Sequence, residues 1–157
     1  MMLIAAVYLA SALSAAAEPV RAGWTELAHF PKLGVKLQAK LDTGAKTSTL
    51  GGLSQRRFTR NGQDWVSFLV ADEAGRQSRI ERPIVRFAKI RRAGVPVQTR
   101  PVVELEVCVA GVSKRGEFTI TDRRGMRVGV LLGRRFLAGR IVVDAGAERL
   151  NDGACGG

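Results

Sequence analysis

The 157-residue chain has very few of the residues that hold catalytic metals: one histidine, His29, and two cysteines, Cys108 and Cys155. Catalytic zinc usually needs three His, Cys or carboxylate ligands at short spacing, and the chain contains no such pattern. A Gly-x-x-x-x-Gly-Lys-Ser/Thr phosphate-binding loop is also missing. We therefore predict that the protein uses neither zinc nor ATP and needs no cofactor. His29 is interpreted as an ordinary strand residue.

Acidic residues are scarce, 14 against 25 basic ones, which gives a formal net charge of +11. Such an excess favours anionic partners. The basic pairs are spread along the sequence and are not interleaved with aromatic residues, so we predict no nucleic-acid partner. These pairs are Arg56-Arg57, Arg91-Arg92, Arg123-Arg124 and Arg134-Arg135. Acidic peptides, anionic lipid headgroups and a charged envelope polymer all stay open as partners.

Long hydrophobic runs are absent except at the N-terminus, where residues 1–17 carry no charged side chain. The apolar core of this segment, Leu3 to Leu13, is too short to span a bilayer as a helix. Its ending, Ala15-Ala16-Ala17 before Glu18, suits signal peptidase. We predict a signal peptide over residues 1–17, with an uncleaved N-terminal anchor as the alternative, and hence an exported protein.

The two cysteines would then meet an oxidising environment, where they could pair. Cys108 falls in a predicted strand, and Cys155 lies in the Gly-rich segment 151–157, which is predicted to be a flexible tail. A core of ordinary apolar content does not require a covalent link. Two free thiols are therefore at least as consistent with the sequence as one disulfide.

Short alternating segments separated by turn signals predict an all-β domain over residues 18–150. Three hairpins are predicted: 24–30 with 35–41, 65–70 with 76–82, and 102–109 with 113–121. Residues 140–144 are expected to form the last short strand and residues 134–138 a helical turn. The basic segment 87–100 is a candidate mobile insertion.

One short motif carries recognisable chemistry, Leu41-Asp42-Thr43-Gly44-Ala45, which follows a predicted strand. Asp42 would carry a proton, Thr43 could anchor the loop through its hydroxyl, and Gly44 would let the backbone approach its neighbours. Taken alone, Asp-Thr-Gly also fits an ordinary turn. About ninety residues later come two aliphatic residues, Leu131 and Leu132, and then Gly133-Arg134.

Together these two segments resemble the retropepsins, single-domain aspartic peptidases that act as homodimers. The chain is most similar to the bacterial retropepsin-like family long labelled ATP-dependent zinc proteases, and the likeness spans Gly23 to Leu150. It rests on Gly23-Trp24, Phe30-Pro31-Lys32-Leu33-Gly34, Lys40 to Ser48, Arg100 to Val103, Thr121-Asp122-Arg123 and Leu131 to Arg134. Members often carry a His-Ala pair where this chain has Gly51-Gly52.

The resemblance implies an acid-protease barrel whose active site forms at a homodimer two-fold axis. Two Asp42 carboxylates would share one proton and activate a water for attack on a peptide bond. Thr43 would bond across the axis, and Gly44 would accept the substrate backbone. Ala45, Lys46 and Thr47 would contact the substrate, and Lys46 favours acidic side chains there.

Supporting roles are also implied by the resemblance. Leu132 and Gly133 would pack beneath the Asp42 loop, and Arg134 would brace the loop or the dimer interface. The hairpin turn Asp72, Glu73, Ala74 and Gly75 is the candidate flap over the substrate, with a plain surface hairpin as the alternative.

A single Asp-Thr-Gly motif in so short a chain itself argues for a dimer. The nearest second copy, Asp144-Ala145-Gly146, lacks the hydroxyl and is expected to be a strand-end turn. Relatives of the family are associated with ATP-grasp glutamate ligases and transglutaminase-like membrane proteins. This implies peptide or envelope-protein processing in the periplasm, with a possible membrane or envelope partner. Two other hypotheses stay open: a noncatalytic binding module and a basic structural protein of the envelope.

Overall fold

The structure, a computed structural model, describes residues 17–126 and 128–156. The predicted signal peptide or anchor, apart from Ala17, lies outside these residues. Within them, no helix is long and apolar enough to cross a membrane.

Strands make up most of the described chain, so the all-β prediction is confirmed. They are β1 (Val20–Phe30), β2 (Val35–Leu41), β3 (Ser48–Gly51), β4 (Leu53–Arg60), β5 (Gln63–Ala71), β6 (Gln77–Pro83), β7 (Arg86–Arg92), β8 (Val95–Val109), β9 (Val112–Thr121), β10 (Val130–Leu132) and β11 (Ile141–Glu148). A four-residue helix, α1 (Arg134–Leu137), precedes the last strand.

Eight strands form a mixed sheet in the order β11-β1-β2-β10-β3-β9-β8-β7. Strand β1 also pairs with β8, where His29 lies opposite Cys108, so the sheet closes on itself as a barrel. Strands β4, β5 and β6 form a second, three-stranded sheet. The architecture is that of a retropepsin-like barrel.

The alternating pattern of β8 places its apolar side chains inside the barrel. Val103, Leu105 and Val107 are buried, while Glu104 between them is exposed. Inside the barrel, the rings of Phe30 and Phe118 meet edge to face with centroids 5.7 Å apart. Burial of these side chains is the main force that holds the strands together.

The second sheet packs on the barrel at Gly52, where the neighbouring side chains leave no room for a Cβ atom. A Cβ at Gly52 would lie 2.5 Å from the Ile120 side chain and 3.0 Å from the Phe68 ring. Phe68, on β5, is itself fully buried. Glycine thus allows the two sheets to share one core.

The three predicted hairpins and the helical turn after Gly133 are confirmed. The proposal of a mobile insertion over residues 87–100 is wrong, because these residues pair as the β7–β8 hairpin, with Lys89 opposite Thr99. Asp144-Ala145-Gly146 is not a strand-end turn. It lies inside β11, which pairs in parallel with β1, and the register of this pairing shifts at a bulge between Gly23 and Thr25.

Cys108 and Cys155 form a disulfide, with their Cα atoms 5.7 Å apart. The alternative of two free thiols is therefore wrong. Pairing was hard to foresee because it depends on the C-terminal segment turning back towards β8, a long-range contact that local sequence does not encode. The disulfide tethers the segment that was predicted to be a flexible tail.

Candidate active site

The loop after β2 holds the Asp42 carboxylate through its own backbone. The N–H of Gly44 donates to Asp42 Oδ1 at 2.9 Å, and the N–H of Ala45 donates to the Asp42 carbonyl at 3.2 Å. The Asp42 N–H in turn donates to the carbonyl of Leu132 at 2.9 Å. These bonds fix one carboxylate oxygen and attach the loop to β10.

Gly133 lies against the backbone of Thr47 on the far side of the loop. A Cβ at Gly133 would lie 2.6 Å from the Thr47 carbonyl oxygen, a contact that real Cβ atoms do not make. The Gly133 N–H also donates to Ser48 Oγ at 3.2 Å. Because Thr47 presents backbone atoms that cannot rotate away, this position requires glycine.

Arg134 binds the same loop from behind. Its Nη1 donates to the carbonyl oxygens of Thr43 and Gly44, each at 2.9 Å, and its backbone N–H donates to the carbonyl of Ala45 at 2.8 Å. The N–H of Arg135 adds a bond to the Lys46 carbonyl at 3.2 Å. The Asp42 loop and the segment Leu131 to Arg134 are therefore in direct contact, although they lie far apart in the chain.

The other carboxylate oxygen of Asp42 pairs with Lys40. The Lys40 Nζ lies 3.3 Å from Asp42 Oδ2, and the two side chains are 45% and 24% exposed. Thr43 and Gly44, at the tip of the loop, are exposed in the single chain. The loop therefore presents Thr43 and Gly44 at the surface, where a second molecule can reach them.

A basic cleft continues from this ion pair. It is lined by Trp24, Thr25, Gln38, Lys40, Arg123, Met126, Val128 and Glu148. Burial, together with repulsion from the nearby Arg100, lowers the pKa of Arg123 below its usual value. The Arg123 Nε donates to the carbonyl of Val128 at 3.1 Å. Lys40 and Arg123 bring two positive charges to the cleft and the Glu148 carboxylate brings one negative charge, so an anionic group would be attracted to the side formed by Lys40 and Arg123.

The predicted flap, Asp72 to Gly75, lies elsewhere in this chain. Asp72, Glu73 and Ala74 line a shallow pocket with His29 and Lys36. Lys36 precedes Asp42 by six residues on β2, which corresponds to about 20 Å along an extended strand. Within one chain, the structure does not bring this hairpin to the Asp42 loop.

The β7–β8 hairpin, which we call the arm, approaches the cleft at Arg123. Arg100, near its base, is close enough to Arg123 to affect its ionisation. Residues 95–99 of the arm are exposed, and the ring of Phe87 lies 4.9 Å beneath the guanidinium of Arg57. The described residues contain no group of three or more His, Cys, Asp or Glu side chains that could hold a metal ion.

Sequence reasoning missed two residues of this site. Lys40 could have been found, since side chains two residues apart on a strand share a face, which places Lys40 beside Asp42. Arg123, like Lys40, belongs to a segment that carries the family resemblance, but the resemblance implied no role for it. Its position beside Lys40 results from the loop after β9, and no local pattern indicates it.

The fold and the loop geometry define a retropepsin-like aspartic peptidase domain. A family model described as "Retropepsin-like aspartic endopeptidase RimB" matches residues 21–153. The chain therefore belongs to the RimB-like family.

The chain is also similar to part of several longer proteins and to a protein of known structure. A probable alpha-L-glutamate ligase of Desulfotalea psychrophila is 31% identical over 126 residues, which cover 78% of this chain and 27% of that protein. A probable alpha-L-glutamate ligase of Parasynechococcus marenigrum is 32% identical over 135 residues, covering 83% and 29%. The chain thus spans less than a third of the length of these relatives. A Legionella pneumophila protein of unknown function superposes with a TM-score of 0.71 at 25% identity, covering 84% of this chain and 98% of that one.

Proposed function

We propose that the protein is an aspartic endopeptidase whose active site forms between two copies of the chain. The observation that carries the proposal is the Asp42 loop. Its carboxylate is fixed by the Gly44 N–H, while Thr43 and Gly44 remain exposed at the surface. Each chain supplies one Asp-Thr-Gly motif. A water-activating carboxylate pair therefore requires a second copy.

In the proposed dimer, two Asp42 carboxylates face each other and hold one proton between them, because two close negative charges repel. The ionised carboxylate takes a proton from a water, whose oxygen attacks the peptide carbonyl carbon. The protonated carboxyl group donates its proton to the carbonyl oxygen. The resulting tetrahedral species breaks its C–N bond as the amine nitrogen receives a proton. Thr43 supports the pair by bonding across the axis.

The substrate is proposed to be a peptide or protein with acidic side chains close to the cleaved bond. Support comes from Lys40 and Arg123, which line the cleft beside Asp42, and from Lys46 at the end of the loop. The excess of basic residues over the whole chain would also attract an acidic substrate. Ala45 and Thr47 would contact the substrate backbone. The β7–β8 arm is the candidate cover for the bound peptide, in place of the Asp72 hairpin.

We further propose that the protein acts after export, in the periplasm or anchored to a membrane that faces it. The apolar segment before Glu18 supports export. The Cys108–Cys155 disulfide supports an oxidising compartment, since cytosolic proteins seldom keep such bonds. A membrane or envelope protein is a candidate partner.

A second candidate function is a noncatalytic module that binds acidic chains in the same cleft. The relatives named as glutamate ligases favour it, because the matched region there forms 27% to 29% of a longer protein. A domain that holds a glutamate-rich chain for a neighbouring domain would need the cleft but not the water-activating pair.

Cleavage distinguishes the two candidates. The chain from Glu18 and its Asp42→Asn variant would be incubated with a peptide library that includes acidic sequences, from acidic to neutral pH. New termini would be identified by mass spectrometry. We expect wild-type cuts that the variant makes about four orders of magnitude more slowly. Equal cutting by both proteins would refute the peptidase proposal. Binding of acidic peptides without any cutting would favour the module.

A further inference from the structure

A buried carboxylate outside the cleft fixes the C-terminal part of the chain. Glu26 on β1 is fully buried and accepts backbone N–H bonds from Gly23 at 2.7 Å and from Leu150 and Asn151, both at 3.1 Å. The side-chain amide of Asn151 donates to the same carboxylate at 3.2 Å. A buried carboxylate without such donors would be costly, so these bonds hold residues 150 and 151 on β1.

The second anchor of this segment is the disulfide. Cys155 is bonded to Cys108 on β8, and Ala154 lies against the β8–β9 turn, 3.7 Å from where a Cβ at Gly111 would be. Cys108 lies opposite His29 of β1. Residues 150–155, which we call the C-terminal strap, therefore follow β1 from Glu26 to the level of His29.

The strap continues directly from one wall of the cleft. The N–H of Arg149, the residue before the strap, donates to the Thr25 carbonyl at 2.7 Å. Glu148 lines the cleft together with Thr25 and with Lys40, the lysine that pairs with Asp42. Glu148 is itself paired with Thr25 in the β1–β11 ladder, and Thr25 Oγ1 donates to its carboxylate at 3.5 Å. The first anchor of the strap lies only two residues after this part of the cleft wall.

We propose that the C-terminal strap is controlled by the redox state of Cys108 and Cys155. With the disulfide closed, the strap is held at both ends and steadies the end of β11, where Glu148 lines the cleft. After reduction, the strap detaches from β1 and the wall loosens. The structural part of the proposal stands by itself, and only its effect on cleavage rests on the proposed peptidase function.

The chemistry requires a dithiol reductant. Cys108 is only 7% exposed, whereas Cys155 is partly accessible, so a thiolate of the dithiol attacks Cys155 Sγ and Cys108 leaves as a thiolate. The second thiolate of the reductant then displaces Cys155 from the mixed disulfide. The protein gains two thiols, and the dithiol becomes a disulfide.

Amide hydrogen exchange with mass spectrometry tests the strap in the chain from Glu18. We expect reduction by dithiothreitol to speed exchange at Leu150 and Asn151 about tenfold or more, while β8 and β9 stay protected. Cys155→Ser should reproduce this change without reductant. Asn151→Ala, with the disulfide intact, should loosen only the end of the strap at Glu26.

Two exchange results would overturn the proposal. One is an unchanged strap in protein whose thiols are shown by mass to be reduced. The other is faster exchange throughout the chain, which would make the disulfide a global stabiliser.

Cleavage of an acidic peptide is followed in parallel, and a rise in KM on reduction is expected. An open strap with an unchanged KM would refute the link to the cleft. If the oxidised protein cuts nothing, the peptidase proposal fails, while exchange still decides the strap.

Discussion

Lys40, near the end of β2, and Asp42, at the start of the loop that follows, form an ion pair with Lys40 Nζ 3.3 Å from Asp42 Oδ2. Asp42 is the carboxylate proposed to activate water, and Lys40 lines the cleft proposed to bind acidic side chains. The ion pair therefore connects the two parts of the site. A lysine at this place can contact either its own chain's carboxylate or one brought by a substrate.

Lys40→Met should weaken the binding of acidic peptides, since it removes one positive charge from the cleft but keeps the aliphatic part of the side chain. We expect KM for an acidic peptide to rise several-fold more than KM for a neutral one. Lys36→Met is the matched control, because Lys36 lies on the same face of β2 but far from Asp42. Equal effects of the two substitutions would contradict a role for Lys40 in binding.

Arg123→Met should have a larger effect on acidic substrates. The guanidinium is partly buried, and its repulsion from Arg100 would be relieved by a bound carboxylate. Loss of a hydrogen bond to a charged group predicts a rise in KM of roughly tenfold or more. Arg124→Met provides the comparison, because Arg124 is exposed and pairs with Asp122. Steady-state kinetics on one acidic peptide measures both variants.

Gly133→Ala should destabilise the fold and abolish cleavage. The new methyl group would lie 2.6 Å from the Thr47 carbonyl oxygen, so the loop must move, at a cost of about 3 kcal/mol in the free energy of unfolding. Denaturant unfolding measures that cost. Gly129→Ala is the control, since a Cβ at Gly129 meets nothing within 4 Å. A stable, active Gly133→Ala variant would show that this close approach is not needed.

Mixing subunits tests whether the site needs two copies. When wild-type chains exchange with an equal amount of Asp42→Asn chains, random pairing leaves about a quarter of the dimers with both carboxylates. Specific activity per wild-type chain should therefore fall to about half. Analytical ultracentrifugation would confirm that the mixed species form. Activity that stays proportional to the wild-type chains would indicate an active monomer.

Acid should weaken the contact between Glu117 on β9 and Arg86 on β7. The hydrogen bond from Arg86 lowers the pKa of Glu117, with a further contribution from the charge of Arg135. A lowered folded-state pKa means that this contribution is fully present above the unfolded value, about 4.3. It is lost as pH falls through the folded value. Both side chains are partly exposed, so the effect is small. Urea unfolding from pH 6 to 3 should show a weaker pH dependence for Glu117→Gln.

Sequence alone predicted the elements whose pattern is local. The alternation of Val103, Leu105 and Val107 predicted β8, and the Asp42 turn follows from side-chain bonding within three residues. Strand β4 was missed because nearly all of its side chains, such as Arg56 and Arg57, are exposed and show no alternation. Strand β10 has only three residues, too few to show a period.

Contacts between residues far apart in the chain could not be predicted from the sequence pattern. The cleft depends on how the loop after β9 brings Arg123 to Lys40, and the disulfide depends on the course of the strap. The sequence pattern also did not indicate one cluster of basic and aromatic side chains. The guanidinium of Arg60 lies 5.2 Å from the ring of Phe58 and 4.6 Å from that of Trp65, a cluster that forms only when β4 pairs with β5.

The two hydrogen bonds at the tip of the loop share one peptide group. The carbonyl of Thr43 accepts from Arg134, and the N–H of the same planar unit, on Gly44, donates to Asp42. A guanidinium drawing on the oxygen makes the attached N–H a stronger donor, so the bonds reinforce each other. Arg134 therefore influences the Asp42 carboxylate electronically, through a polarised amide, although its guanidinium donates to main-chain oxygens and not to the carboxylate itself.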